Sequence, residues 1–247
     1  MRGRTRLWPL AAGLAATAAL LVTACLRLPH FGGDRHPYGD RAVRTALLQR
    51  TANTVSSVNF DQRALDTLGE ESILFAAVLG TVVLLRQTRG EHRVAPQPAS
   101  VAPPLRRYGT LVLPVALLVG LYVIAHGQLS PGGGFQGGVV VATALHLLYI
   151  AVDYRALERI RPVGPYELAD GVGEAAYVLL GAAGLLAGSA YLANTLSHGT
   201  FNTMASGGTV PLLNAAVGME VASGVVVLLA HFLGQALEIV GDEGERT

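Results

Sequence analysis

The sequence predicts an all-α protein, a polytopic transmembrane helical bundle of about six spans. Three observations carry this expectation. Only 14% of the 247 residues are charged, against roughly 25% in an average soluble chain. The mean hydropathy is +0.44. The apolar residues are gathered into long blocks rather than spaced at the period of amphipathic helices or strands. A disordered chain, a nucleic-acid-binding domain and an ordinary soluble enzyme do not fit this pattern.

A bilayer core about 30 Å thick needs roughly 20 helical residues at a rise of 1.5 Å each. Six segments meet or approach that length: Leu7–Leu26, Asp66–Leu85, Tyr108–His126, Phe135–Val152, Gly173–Tyr191 and Pro211–Leu233. The first has a rival reading. Arg2, Arg4 and Arg6, the run Leu7–Leu21 and then Val22-Thr23-Ala24-Cys25 together look like a lipoprotein signal with Cys25 as the acylated residue. The second is apolar only from Ile73, and its first turns carry Asp66, Glu70 and Glu71. It spans only if those carboxyls lie near the interface or face other protein. The sixth is convincing apart from Glu220 in its middle.

Orientation follows from arginine placement, since all 18 basic residues are Arg. With the N-terminus inside, Arg2, Arg4, Arg6, Arg86, Arg89, Arg93, Arg106, Arg107, Arg155, Arg159, Arg161 and Arg246 are cytoplasmic, twelve of the 18. The segment Arg27–Leu65 holds the other six and is the misfit, although long loops obey the rule less strictly. Both termini are therefore expected in the cytoplasm and the chain in the cell membrane. Pro96, Pro98, Pro103 and Pro104 mark a boundary that a helix does not cross. The expected organisation is a two-helix module at 1–90, a Pro/Arg-rich cytoplasmic linker at 91–107 and a four-helix module at 108–240.

A carboxylate at mid-membrane costs at least about 2.5–3.5 kcal/mol on insertion scales, so each one calls for a compensating role. Glu220 is the strongest case. Gly218, Ala222, Ser223 and Gly224 surround it at helical spacing and let another helix approach. It reads either as a protonatable relay or as a buried carboxyl that docks a partner helix. Glu174, at the start of the fifth expected span, reads first as a charge favoured by the helix N-terminus. Asp66 reads as an N-cap. Capping leaves Glu70 and Glu71 unexplained, so one of them is a candidate for an ion or proton path.

Ser130-Pro131-Gly132-Gly133-Gly134-Phe135-Gln136-Gly137-Gly138 joins the third and fourth spans. Pro131 ends the incoming helix, and Gly132, Gly133 and Gly134 permit positive φ. Free N–H groups there could hold an anion. No Gly-Lys-Ser/Thr follows, so a tight, re-entrant hairpin is the expected structure, with Pro131, Gly132, Gly133, Gly134, Gly137 and Gly138 as its structural residues. Gly138, Ala142 and His146 share a face, which turns His146 toward protein. His126 and His146 are the remaining titratable candidates within the spans. No His/Asp/Glu set has metal-ligand spacing, and no Ser-His-Asp elbow, dinucleotide fingerprint or haem motif is present, so no metal or cofactor is expected. One cysteine, Cys25, excludes an intramolecular disulfide and a cysteine-based metal site. A net charge of +1 gives no reason to expect nucleic acid as a partner.

These motifs also carry a resemblance. Leu129–Gly138, read as LSPGGGFQGG, and Leu212–Glu220, read as LLNAAVGME, resemble the B subunit of the multisubunit Mrp-type (Mnh) sodium/proton antiporter over roughly Tyr108–Leu237. Residues Thr54–Leu85, with Phe60-Asp61 and Asp66-Thr67-Leu68-Gly69-Glu70, are similar to the C-terminal module of the large A subunit and to small subunits of membrane-bound hydrogenases. The acid of that DTLGE motif is matched by Glu70. Joining the two pieces departs from the usual four-helix B subunit. The resemblance implies a non-catalytic subunit of a complex that exchanges Na⁺ for H⁺, with the other antiporter subunits and the bilayer as partners. Lysine-based antiporter modules would lie elsewhere, since this chain has no Lys. Two alternatives stand beside it: a subunit of a hydrogenase- or complex-I-like redox-driven pump, and a structural membrane scaffold.

Overall fold

The computed structural model describes residues 4–28, 36–86, 101–151 and 163–233. Arg2, Arg89, Arg93, Arg155, Arg159, Arg161, Arg246, Pro96, Pro98 and Val152, used above for orientation and boundaries, lie outside the described residues. Those described are helical or irregular, with no strand among them. The chain divides into two compact units, 1–40 and 41–247.

The first unit holds α1 (Arg4–Leu26). Its side chains from Trp8 to Leu26 are all exposed. Thr17 and Thr23 each donate to the carbonyl four residues back, on Gly13 and Ala19, which removes their hydroxyls from competition with an apolar solvent. Cys25 is a free, exposed thiol.

The stretch expected to be an external loop, Arg27–Leu65, is partly helical where it is described. α2 (Pro37–Leu48) buries Ala42 and Ala46, one turn apart. A short α3 (Thr54–Ser57) starts at Asn53, whose Oδ1 accepts from the N–H groups of Val55 and Ser56. A π-helical turn, Val58–Gln62, then buries Phe60.

The α4 helix (Ala64–Leu84) begins two residues before the expected start. Its N-cap position is Arg63, so Asp66 is a first-turn residue rather than the cap; it accepts from Arg63 Nε at 2.6 Å. α5 (Pro103–Ala125) begins five residues earlier than expected. Pro103 and Pro104 open this helix instead of ending a linker, because a missing N–H does no harm in a first turn. α6 is Gly134–Ala151, and α7 is Val163–Leu186. The fifth span thus starts ten residues before Gly173. α8 (Val210–Leu233) matches its expectation to one residue.

Among the described residues, five helices are long and apolar enough to cross a membrane, and α6 adds a shorter apolar stretch, Gly134–Leu147. α8 is the central helix, packed by α4, α5, α6 and α7. Of its apolar stretch 61% is buried, against 11% for α5. Glycines make this close packing possible. A Cβ on Gly137 would lie 2.8 Å from Gly120 O on α5, and one on Gly138 would lie 2.9 Å from Gly218 O on α8. Large apolar side chains such as Leu111, Leu118, Leu179 and Leu186 face outward, as lipid-facing or subunit-facing surfaces do.

Candidate functional site

Glu220 is the eleventh residue of α8 and has no exposed surface. What brings α7 against it is Gly173, where a Cβ would lie 2.8 Å from Glu220 N and 2.9 Å from Ala216 O. With the backbones this close, Asp170 and Glu174 flank Gly173 on the same side of α7. Asp170 is 2% exposed and Glu174 is partly buried. From α4 comes Glu71, 1% exposed, and beside it Ser72, whose Oγ donates to Glu174 Oε1 at 2.7 Å. Tyr177, one turn further along α7, donates to Ala64 O at 2.9 Å and ties the helix to the start of α4.

Three helices therefore deliver four carboxyls to one place. Glu71 interacts electrostatically with Glu174, Glu70 and Asp170, and Glu220 with Glu71, Glu174 and Asp170. Glu71 Oε2 and Asp170 Oδ1 have no hydrogen-bond partner among the described residues, and the Glu220 oxygens have only the neighbouring Glu174 carboxyl. Burying one ionised carboxylate costs several kcal/mol. Four together in apolar surroundings are tolerable only with protons or cations to offset their charge. Chemically, the arrangement can hold and exchange protons. Among the described residues, no group of three His, Cys, Asp or Glu side chains has the geometry of a metal site.

The cluster opens toward the glycine hairpin. A cavity of about 220 Å³ is lined by Glu70, Glu71, Thr67, Asn59 and the backbone of Gly132–Gly134. A second, of about 300 Å³, is lined by Arg63 and Asp66 and shares Asn59, Thr67 and Glu70 with the first. Glu70 is exposed at this mouth while Glu71 points inward. The structure thus separates two acids that sequence alone left equivalent.

Two asparagines hold the hairpin. Asn53 Nδ2 donates to Gly127 O and Ser130 O, both at 2.8 Å. From the other side Asn214 Oδ1 accepts from Gly134 N at 2.8 Å, and its Nδ2 donates to Ser56 Oγ at 2.9 Å. Gly132 and Gly133 adopt φ of 126° and 135°, values that side chains disfavour. The N–H of Gly134 is thus taken by a side chain rather than offered to an anion. Pro131 is exposed at its tip.

Sequence reasoning placed Glu174 at a helix start; it lies in the twelfth position of α7, so the helix-terminus explanation does not hold. The same misplacement hid Asp170, although its i, i+4 spacing to Glu174 was legible. The two histidines singled out in the sequence sit on other helices. His126 ends α5, with Nδ1 3.0 Å from Tyr122 O and its ring stacked 3.9 Å from that of Tyr122. His146 has Nδ1 2.6 Å from Ala142 O on α6. Neither belongs to α4, α7 or α8.

The fold and this site define a polytopic membrane protein with an acid cluster inside its helix bundle. The chain belongs to the family described as a domain related to the MnhB subunit of Na⁺/H⁺ antiporters, which matches residues 104–227. It is 32% identical over 88 residues to the B subunit of the Na⁺/H⁺ antiporter of Bacillus subtilis, a match covering 36% of this chain and 61% of that relative's length. Among solved structures, it resembles a chain of the membrane-bound sulfane sulfur reductase, an archaeal respiratory membrane complex. The TM-score is 0.72 at 29% identity, over 93% of this chain and 98% of that one. It also shares its fold with part of the Mrp complex from Dietzia sp., with a TM-score of 0.69 at 23% identity, over all of this chain and 27% of that one.

Proposed function

We propose that this protein is a membrane subunit of a multisubunit Na⁺/H⁺ antiporter, in which Glu71, Glu174 and Glu220 form part of a proton path. The observation that carries the proposal is the meeting of carboxyls from α4, α7 and α8 in the bundle interior, beside a cavity that Glu70 and Glu71 both line. An antiporter subunit is no enzyme; its task is to bind, shelter and pass ions. His126 and His146 are left out of the path because they sit on α5 and α6. The arginine distribution supports an orientation with both termini in the cytoplasm and the glycine hairpin outside, so external protons would enter through the cavities. The likeness of 1–90 to the C-terminal module of the large A subunit, joined through 91–107 to the MnhB-like 108–240, would make this chain a fusion of two neighbouring parts of such a complex.

The test is growth of antiporter-deficient cells in high sodium at alkaline pH. Glu71→Gln and Glu220→Gln should each fail to restore growth at normal complex abundance. Full restoration by both would leave the acids as packing devices and favour the scaffold reading.

A second reading is favoured by one observation, the near-complete coverage of a chain from a respiratory sulfur-reducing complex. Under it the same proton path serves a redox-driven pump. Purification of the native complex separates the two, because only the redox pump co-purifies with iron–sulfur proteins.

A further inference from the structure

The acids do not stop at Glu220. α7 and α8 run antiparallel, and their facing residues can be followed toward the end of the bundle opposite the hairpin. Gly173 faces Glu220. One turn on, a Cβ at Gly224 would lie 2.8 Å from Asp170 Oδ1, so Asp170 fills the space that this glycine leaves. Further along, Glu167 Oε1 lies 4.0 Å from His231 Nε2. Glu167, Asp170 and Glu174 are spaced i, i+3, i+7, and Glu220, Gly224 and His231 are spaced i, i+4, i+11, so each set occupies one helix face. Asp170 is 2% exposed, whereas the side chains of His231 and Glu167, 16% and 45% exposed, both reach nearer the surface.

We propose that Asp170, Glu167 and His231 form the second mouth of the carboxylate path, passing protons between the buried cluster and the end of the bundle opposite the hairpin. The inference rests on the proton-path reading above and assigns it an exit. Asp170 is suited to the inner position because its Oδ1 has no partner among the described residues. His231 is suited to the outer one. Its Nδ1 lies 3.0 Å from Val227 O, which fixes the ring and leaves Nε2 toward Glu167. Only protons move. Asp170 gives its proton to the Glu167 carboxylate, Glu167 gives it to His231 Nε2, and the imidazolium releases it to water at the end of the bundle; each donor is left as its conjugate base, and Glu220 reprotonates Asp170. Asp170 also interacts with Glu174 from α7 and with Glu71 from α4, and Tyr177 from α7 interacts with both of those acids.

The test uses the complete complex purified and reconstituted in proteoliposomes, with sodium-driven proton flux as the readout. Asp170→Asn and His231→Ala should each slow flux at least about tenfold, in keeping with loss of a positioned proton carrier. Imidazole added on the His231 side should restore most of the His231→Ala flux and leave Glu220→Gln unchanged. A merely structural histidine would not be rescued. His231→Gln repeats the measurement if the alanine variant does not assemble. Full flux in Asp170→Asn and the His231 variants, with Glu220→Gln inactive, overturns this exit and spares the path. Full flux in Glu220→Gln overturns both.

Discussion

Ser72 Oγ donates to Glu174 Oε1 across 2.7 Å, joining α4 to α7 at the level of the buried acids. This bond matters because α4 comes from the N-terminal part of the chain, before the proline-rich segment, and α7 from after it. Ser72→Ala should lower stability by about 1–2 kcal/mol, the value of a hydrogen bond to an ionisable partner whose loss leaves an acceptor bare. Glu174→Gln keeps an acceptor oxygen and should cost less. Thermal unfolding of the purified protein in detergent checks the order; equal losses would contradict it.

The approach of α7 to α8 depends on Gly173. A Cβ there would meet Glu220 Cβ at 2.7 Å as well as backbone atoms, and backbone cannot yield cheaply. Gly173→Ala should destabilise by about 1–3 kcal/mol, the usual penalty for overpacking. Gly164→Ala, on the same helix with open space around it, should be neutral. Melting temperature and complex yield report both.

Removing the Asn214 side chain should loosen the hairpin. Asn214→Ala leaves Gly134 N–H without its acceptor and Ser56 Oγ without its donor. The expected loss is about 1–3 kcal/mol for the buried N–H alone. Amide hydrogen exchange at Gly133–Gln136 should accelerate while exchange in the outer turns of α7 does not change. Uniform acceleration would mean that Asn214 supports the bundle generally.

Asp61, in the π-helical turn outside the spans, offers a pH test. Burial pushes its carboxyl above the ordinary 3.8, opposed by the His198 charge and by a hydrogen bond from Asn194. The folded form then holds this proton more tightly than the unfolded chain. Its stabilising contribution is complete below 3.8 and is lost as pH rises through the folded value. Asp61→Asn should remove that loss, so the wild type should weaken relative to the variant as pH climbs from acid toward neutral. Parallel melting curves would contradict the assignment.

How much of this was legible in the sequence depends on the element. Apolar blocks mark lipid-crossing helices well, and the block Pro211–Leu233 placed α8 to within one residue. α7 was misjudged because Pro165, Glu167 and Asp170 read as loop; a helix tolerates Pro in its first turn and acids where another helix covers them. That error hid Asp170 and misassigned Glu174. α2 escaped notice because alanines, Ala42 and Ala46, carry its buried face and give a weak periodic signal. The difference between Glu70 and Glu71 depends on which side of α4 meets α7 and α8, and that is a property of packing. The roles of Asn53 and Asn214 are likewise tertiary, since each reaches the hairpin from a distant part of the chain.

The central claim is that Glu220 carries protons rather than merely packing two helices. The direct measurement is sodium-driven proton flux in proteoliposomes of the intact complex, comparing wild type with Glu220→Asp and Glu220→Gln at equal protein content. The account predicts partial flux with Asp, which keeps a titratable group, and background flux with Gln, which keeps the shape and loses the proton. Full flux with Gln would contradict it.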